Sequence, residues 1–205
     1  MKKHFAINIG RQIGSGGRAV AKIVSEKLNI NVYDRKLLKT ASDQTGFSEE
    51  HFEKADEESS RNPLRSLIFA NLGNGSMAKN YMSNESLFAM QSDAIRQIHE
   101  QEDCIFIGRC ADYTLRDSDM TLNVFLAATP NDRIRRICNI ENCSEDKARS
   151  IMNDADKKRS SYYNYYTDKK WGDSSSYDIC LNTSTFGYEK CADIIIELAK
   201  IKFGL

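Results

Sequence analysis

Gly14-Ser15-Gly16-Gly17-Arg18 is the stretch of this 205-residue chain whose residue types most directly imply chemistry. The run His4-Phe5-Ala6-Ile7-Asn8-Ile9 reads as a buried strand entering a glycine-rich turn, and Ala19-Val20-Ala21-Lys22-Ile23-Val24 reads as a helix start. Glycines let the backbone turn its N–H groups inward, and a helix N-terminus adds unpaired donors and a partial positive charge. Strand, loop and helix in that order therefore make a site for phosphate. Two phosphate-binding patterns compete for the loop. Against G-x-x-x-x-G-K-[ST], Gly17 stands at the lysine position and Arg11 at the first glycine. Against the dinucleotide fingerprint G-x-G-x-x-A, Gly14 to Ala19 match, and Asp34 lies 20 residues past Gly14, where a ribose-binding acid would sit. Four residues, Gly10 to Ile13, intervene between the apolar strand and Gly14, and this longer loop favours the first pattern.

Arginines elsewhere could supply charge to such a loop. Gly108-Arg109 follows the apolar run Cys104-Ile105-Phe106-Ile107, so Arg109 would project from the carboxyl end of a sheet, where ligands of open α/β folds bind. Arg133, Arg135 and Arg136 crowd the start of a later helix, and Arg149 and Arg159 lie on the polar helical region beyond it. Like charges this dense repel unless an anion separates them. Either phosphates do so, or the nearby carboxylates Asp132, Asp154 and Asp156. Phosphoryl transfer uses an array of this kind: charge develops on the moving group, and one well-placed arginine contributes roughly 10³–10⁵ in rate.

The elements that must position these residues alternate strand with helix. Ile30 to Asp34 reads as a short second strand ending in an acid, Cys104 to Gly108 as a third, Leu122 to Ala128 as a fourth and Tyr177 to Asn182 as a fifth. Ser48 caps a charge-dense helical run to Arg61, Asn62-Pro63 breaks it, and Asn71 to Ser76 is the most loop-like segment. Ser83 caps a helix with Leu87, Met90, Ala94 and Ile98 on one face. Thr129-Pro130-Asn131-Asp132 starts another, with a capping hydroxyl, a proline in the first turn and an acid near the positive end. A polar helix runs from Ser144 to about Tyr166, and a last one carries Cys191, Ile194, Ile195, Leu198 and Ile201 on one face. Strands separated by helices imply a parallel sheet covered on both sides.

Composition narrows the partners. Lys+Arg and Asp+Glu are both 29, so no whole-chain pull toward nucleic acid or an anionic membrane is expected, and any anion binding must be local. Three histidines, His4, His51 and His99, are too few and too dispersed for a histidine metal site or a Ser-His nucleophile. Six cysteines without a C-x-x-C pair, several in apolar segments, read as buried hydrophobes of a reduced, cytoplasmic protein. Met1-Lys2-Lys3 leads into a short strand, not a signal peptide, and no apolar run approaches the roughly 20 residues a membrane span needs. Tyr162, Tyr163, Tyr165, Tyr166 and Trp171 read as packing for the polar helix, not as a base-stacking platform.

Taken in order, several pieces resemble the cytidylate kinase-like family, relatives of bacterial cytidylate kinase within the nucleoside monophosphate kinases. They are Arg11 to Arg18, Tyr33-Asp34, Gly108-Arg109 and Phe125-Leu126-Ala127-Ala128-Thr129-Pro130, then Asp156-Lys157-Lys158-Arg159, Tyr162-Tyr163, Trp171-Gly172, Tyr177-Asp178 and Asn182-Thr183-Ser184. The resemblance spans nearly the whole chain and implies an α/β P-loop kinase fold: a five-stranded parallel sheet with helices on both faces. The core would comprise residues 1–41, 96–130 and 173–205, with a helical monophosphate-binding insertion at 42–95 and a lid at 131–172. It also implies ATP with Mg2+ as donor and a nucleoside monophosphate, CMP or dCMP, as acceptor. By that likeness Gly14, Ser15, Gly16, Gly17, Arg18 and Ala19 bind ATP, and Asp34 and Arg109 hold the acceptor. Arg18, Arg133, Arg135, Arg136 and Arg159 then act on the transferring phosphoryl group.

The chain departs from the family's G-S-G-K-G-[ST] loop at Gly17 and Ala19, and has Cys110 where the family commonly carries an acid. Arg18, with Arg11 beside it, would replace the lysine's point charge with a planar fork. No residue offers Mg2+ a direct ligand by pattern, Asp34 being a candidate through water. Three functional readings follow: a nucleotide kinase, a nucleotide-binding protein without turnover, and a dinucleotide-binding oxidoreductase.

Overall fold

Ala6, Ile7, Asn8 and Ile9 are consecutive and all buried, a pattern that arises only where a strand is covered on both faces. They belong to β1 (Ala6–Arg11), the centre of a parallel sheet that also contains β2 (Asn31–Tyr33), β3 (Cys104–Ile107), β4 (Thr121–Ala127) and β5 (Ile179–Asn182). The structure is a computed structural model that describes residues 3–34 and 84–205. The chain divides into two compact units, Met1–Asp34 with Ile95–Leu205 and Arg35–Ala94. The expected features at Ser48, Asn62-Pro63 and Asn71 to Ser76 lie outside the described residues, as does most of the expected insertion.

The strand order is β2-β3-β1-β4-β5. Arg11 pairs in register with Leu126 at the end of β1, and Ile9 pairs with both Ile107 and Val124, so β1, β3 and β4 deliver their carboxyl ends side by side. This order removes the dinucleotide reading: that fold sets the second strand beside the first, whereas here β3 lies between them.

Helix α1 (Gly17–Leu28) buries Val20, Ala21 and Val24 against the sheet and against α6 (Thr183–Phe203). The buried stripe of α6 is Cys191, Ala192, Ile195, Ile196 and Ala199; Ile201, expected on the core face, is 79% exposed. Spacings of four from Cys191 keep the stripe on the core, and Ile201 falls off it as the helix turns. Between these lie α2 (Asn84–Gln101), the one-turn α3 (Ala111–Thr114), α4 (Pro130–Glu141) and α5 (Glu145–Thr167). Thr129 caps α4 by accepting from the Asp132 N–H, with Pro130 in the first turn, as the sequence predicts. Ile134, Ile137, Ala148 and Met152 give α4 and α5 a small apolar core that also receives Ile13 from the glycine loop. The fifth strand starts two residues later than expected. Asp178 instead exchanges bonds with Asn123: its N–H donates to the Asn123 carbonyl (2.8 Å), and its carboxylate accepts the Asn123 N–H (2.7 Å).

Gly10 faces Phe125 across the β1–β4 pair, and a Cβ there would lie 2.9 Å from the Phe125 ring and 3.1 Å from Tyr177. Gly10→Ala should therefore overpack this wall and lower stability by about 1–3 kcal/mol, read as a shifted urea midpoint at unchanged m-value.

Candidate functional site

Between β1 and α1 the chain makes a tight loop in which Gly14 (φ 72°) and Gly16 (φ 80°) adopt the left-handed conformation that glycine reaches without strain. The amides of Gly14, Gly16, Gly17, Arg18 and Ala19 have no acceptor among the described residues, and the helical ladder begins with Val20 N–H to the Gly16 carbonyl (3.0 Å). The carbonyl groups, by contrast, all have donors. Arg159 Nη1 donates to the Arg11 carbonyl (3.2 Å), Ser15 Oγ to Gln12 (2.9 Å), Arg133 Nε to Ile13 (2.7 Å), Arg136 Nη1 to Gly14 (3.0 Å) and Thr183 Oγ1 to Ser15 (2.7 Å). Five consecutive carbonyls are thus turned away from the free amides. What remains is a concave row of N–H donors at the positive end of a twelve-residue helix, a geometry suited to a phosphate chain.

The arginines divide by role. Arg133 is buried and ion-paired with Asp156, whose other carboxylate oxygen accepts the Ile13 N–H (2.9 Å); the pair grips both polar groups of Ile13. Arg136 bridges the Gly14 carbonyl and Thr183 Oγ1 while its guanidinium lies 4.9 Å above the Tyr188 ring. Tyr188 in turn lies against Gly16, where any Cβ would overlap the ring. Arg135 points to solvent and pairs with Asp132 (2.6 Å), and Arg149 is exposed. Of the arginines expected to act on a phosphoryl group, Arg133 and Arg136 therefore hold the loop's backbone, and Arg135 is not brought to it.

A second group does converge. Arg18 Nε donates to Asp34 Oδ2 (2.7 Å), and Arg11 Nη2 lies 3.7 Å from Asp34 Oδ1, so one carboxylate is bracketed by two guanidinium groups. Arg109 and Arg159 are close enough to destabilise the charge on Arg11. Burial, then Arg159, with smaller effects from Arg109 and Arg18, push Arg11 down to about 9 against the pull of Asp34; it remains charged at neutral pH. Arg159 is lowered too, mainly by burial, with Asp156 and Asp34 opposing and Arg18 and Arg109 adding to the effect. Arg109 sits in a run of three left-handed residues, Gly108, Arg109 and Cys110, and two of these are not glycine. Such backbone persists only where its surroundings over-determine it, and here it starts at the carboxyl end of β3, beside Arg11. Among the described residues these guanidinium groups gather near Asp34, an arrangement that raises the local positive potential.

Among the described residues no cluster of three or more His, Cys, Asp or Glu could hold a metal ion, and Asp34, the candidate through water, is engaged by Arg18 and Arg11. The six cysteines are all free, and no described helix is long and apolar enough to cross a membrane. The aromatic residues pack. Tyr163 is buried and donates to Asp112 Oδ2 (2.6 Å), and Trp171 meets Phe125 edge-on at 5.2 Å; Tyr165 is 70% exposed. Gln12, Thr183 and Tyr188, which shape the loop, are not singled out for chemistry by the sequence reading. Thr183 enters only as part of Asn182-Thr183-Ser184 and Gln12 only as part of Arg11 to Arg18, and Tyr188 carries no signal.

The model of the cytidylate kinase-like family matches residues 6–185. A solved structure of an uncharacterized protein from Eubacterium ventriosum ATCC 27560 is similar at 27% identity and a TM-score of 0.71, covering 96% of this chain and 99% of that one. Shikimate kinase from Bacteroides thetaiotaomicron shares the fold at 14% identity and a TM-score of 0.53, over 96% of this chain and 98% of its own. No curated protein matches in sequence. The fold is that of the P-loop kinases.

Because Arg133 and Asp156 are desolvated together, Arg133→Ala should cost about 3–5 kcal/mol of stability. Arg133→Met/Asp156→Leu should regain most of it in urea unfolding, because no unpaired charge is left buried. Asp112 is raised above the usual carboxyl value by burial, partly offset by the Tyr163 bond and Lys169. A carboxyl raised on folding contributes stability that is complete below its unfolded value and lost as pH rises through its folded one. Asp112→Asn, which keeps an acceptor for Tyr163, should therefore stabilise the protein most at about pH 7 and progressively less toward about pH 4.

Proposed function

Since this chain belongs to the cytidylate kinase-like family, we propose that it transfers the γ-phosphoryl group of ATP to a nucleoside monophosphate, with CMP or dCMP as acceptor. The observation that carries this reading is the loop itself: carbonyls 11–15 all have donors, and the amides left free among the described residues lie near the guanidinium groups of Arg11, Arg18 and Arg159. ATP enters as its magnesium complex, the cation travelling on the phosphates as part of the substrate. The amides of Gly14 and of Gly16 to Ala19 bind its phosphate chain. Arg109 and Asp34, at the ends of β3 and β2, orient the acceptor. An acceptor phosphate oxygen attacks the γ-phosphorus, the bond to the bridging β,γ-oxygen breaks, and ADP leaves with the electron pair. Arg18 and Arg159 neutralise the charge that builds on the transferring group. Arg159 already donates to the Arg11 carbonyl through Nη1, which fixes its fork without spending its other donors.

The displaced pattern at Gly17 and Ala19 supports a second reading, a protein that binds nucleotide and does not turn over. One assay separates the two. ADP release from MgATP should be stimulated by CMP or dCMP more than by AMP, GMP or UMP, and Arg159→Ala should lower kcat about 10²–10³-fold. ATP binding with no stimulation by any monophosphate selects the second reading. A melting temperature raised by ATP and unmoved by NAD is expected under both.

A further inference from the structure

The space that the lysine of a P-loop would use is filled. A Cβ on Gly17 would lie 2.8 Å from Arg11 Cγ and 2.9 Å from Arg11 Cβ, so the stem of Arg11 runs through the volume where a side chain at 17 would begin. Farther along, its guanidinium lies over Gly108, where any Cβ would overlap Nη1. Two bare positions on separate elements, the first residue of α1 and the turn after β3, thus frame one side chain. That side chain is only 16% exposed, and among the described residues its one ion pair is the long contact to Asp34 and no hydrogen bond from its guanidinium is made. Arg18, the cation that the sequence favours, is the opposite case: 67% exposed, with Nε already bonded to Asp34.

We propose that Arg11, from the end of β1, is the cation that contacts the donor phosphates in place of a lysine at position 17, and that Gly17 and Gly108 are bare to admit it. The assignment rests on the kinase reading for its ligand, a triphosphate chain, and concerns binding alone. A guanidinium desolvated beside Arg159, Arg109 and Arg18 gains more from an incoming anion than an exposed one does. Its backbone is fixed by the sheet ladder, since Arg11 pairs with Leu126, and its stem lies against Gly17, so it needs little ordering on binding.

The test is calorimetric titration with ATP and with inorganic triphosphate. Wild type should bind both, Arg11→Gln should lose at least about tenfold in triphosphate affinity, and Arg18→Gln less than about threefold. Gly17→Lys alone should not improve on wild type, because its side chain meets the Arg11 stem. With that stem removed, Arg11→Ala/Gly17→Lys should bind triphosphate at least about tenfold more tightly than Arg11→Ala/Gly17→Met. The last pair has matched packing and differs in charge, so it reads the cation's contribution even where Arg11→Gln folds poorly. Equal affinities in that pair, or an Arg11→Gln protein that is folded and binds like wild type, would overturn the assignment. Wild type that binds neither probe overturns it together with the kinase reading. Triphosphate binding that depends on Arg11, with no monophosphate stimulating ADP release, leaves the assignment standing and removes the kinase reading alone.

Discussion

A peptide turn that presents N–H groups to an anion directs the matching carbonyl oxygens to the opposite side, and in a buried loop each of those oxygens needs a donor. Here four of the five donors come from three elements distant in sequence, α4 giving Arg133 and Arg136, α5 Arg159 and the start of α6 Thr183, while Ser15 of the loop supplies the fifth. The requirement reaches well beyond the loop. It fixes where the α4–α5 hairpin must lie, and the apolar side of the same contact, Ile13 against Ile134, Ile137 and Met152, excludes water from those bonds. It also explains why Gly16 has to be bare, since the Tyr188 ring that carries Arg136 lies directly beneath it. Loop conformation and hairpin position are one structural decision.

Charge follows from the same arrangement. A guanidinium that donates to a carbonyl is oriented without being neutralised, so Arg136 and Arg159 still contribute positive potential to the loop they support. Arg133 differs because Asp156 cancels it, and its part is geometric. Among the described residues, Arg11, Arg18 and Arg159 are the guanidinium groups whose charge bears on Asp34. Burying like charges is costly, and the fold tolerates the cost where an anion can relieve it. Asp34 serves as a partial occupant, bonded to the exposed Arg18 at 2.7 Å and only loosely to the buried Arg11 at 3.7 Å. Of the two guanidinium groups on Asp34, Arg11 is thus the less tightly engaged.

Periodicity and turn chemistry made most of this fold legible. The five apolar runs became the five strands, Thr129-Pro130 capped its helix, and the glycine loop lies between strand and helix as expected. Roles within the site were less legible, because an arginine that holds a carbonyl and one that awaits a phosphate are the same letter at the same helix start. Asp132 and Asp156 were visible as possible partners, and each did take one arginine. Nothing local distinguished Arg136, whose partners Gly14 and Thr183 lie 122 and 47 residues away. Gln12 illustrates the same limit: its side-chain carbonyl accepts the Ala128 N–H (3.2 Å) across the sheet, a contact set by strand order, which single-sequence spacing does not encode. The fingerprint G-x-G-x-x-A misled for a related reason, since the placement of β3 between β1 and β2 is a tertiary fact.

The missing lysine is best understood through the origin of the charge that replaces it. A lysine at the start of α1 would reach the phosphates from the helix that binds them, on a flexible stem with a compact, strongly hydrated head. Arg11 arrives from the strand, as the last residue by which β1 pairs with β4, and its stem lies against Gly17 while its fork lies over Gly108. The three positions are sterically interlocked: a side chain at 17 displaces the stem, one at 108 displaces the fork, and loss of Arg11 leaves a void beside both. Residues coupled through a shared volume do not change independently. A loop that fails the lysine pattern at one letter is therefore consistent in three dimensions, with the cation moved from the helix to the strand and two glycines kept bare to make room for it.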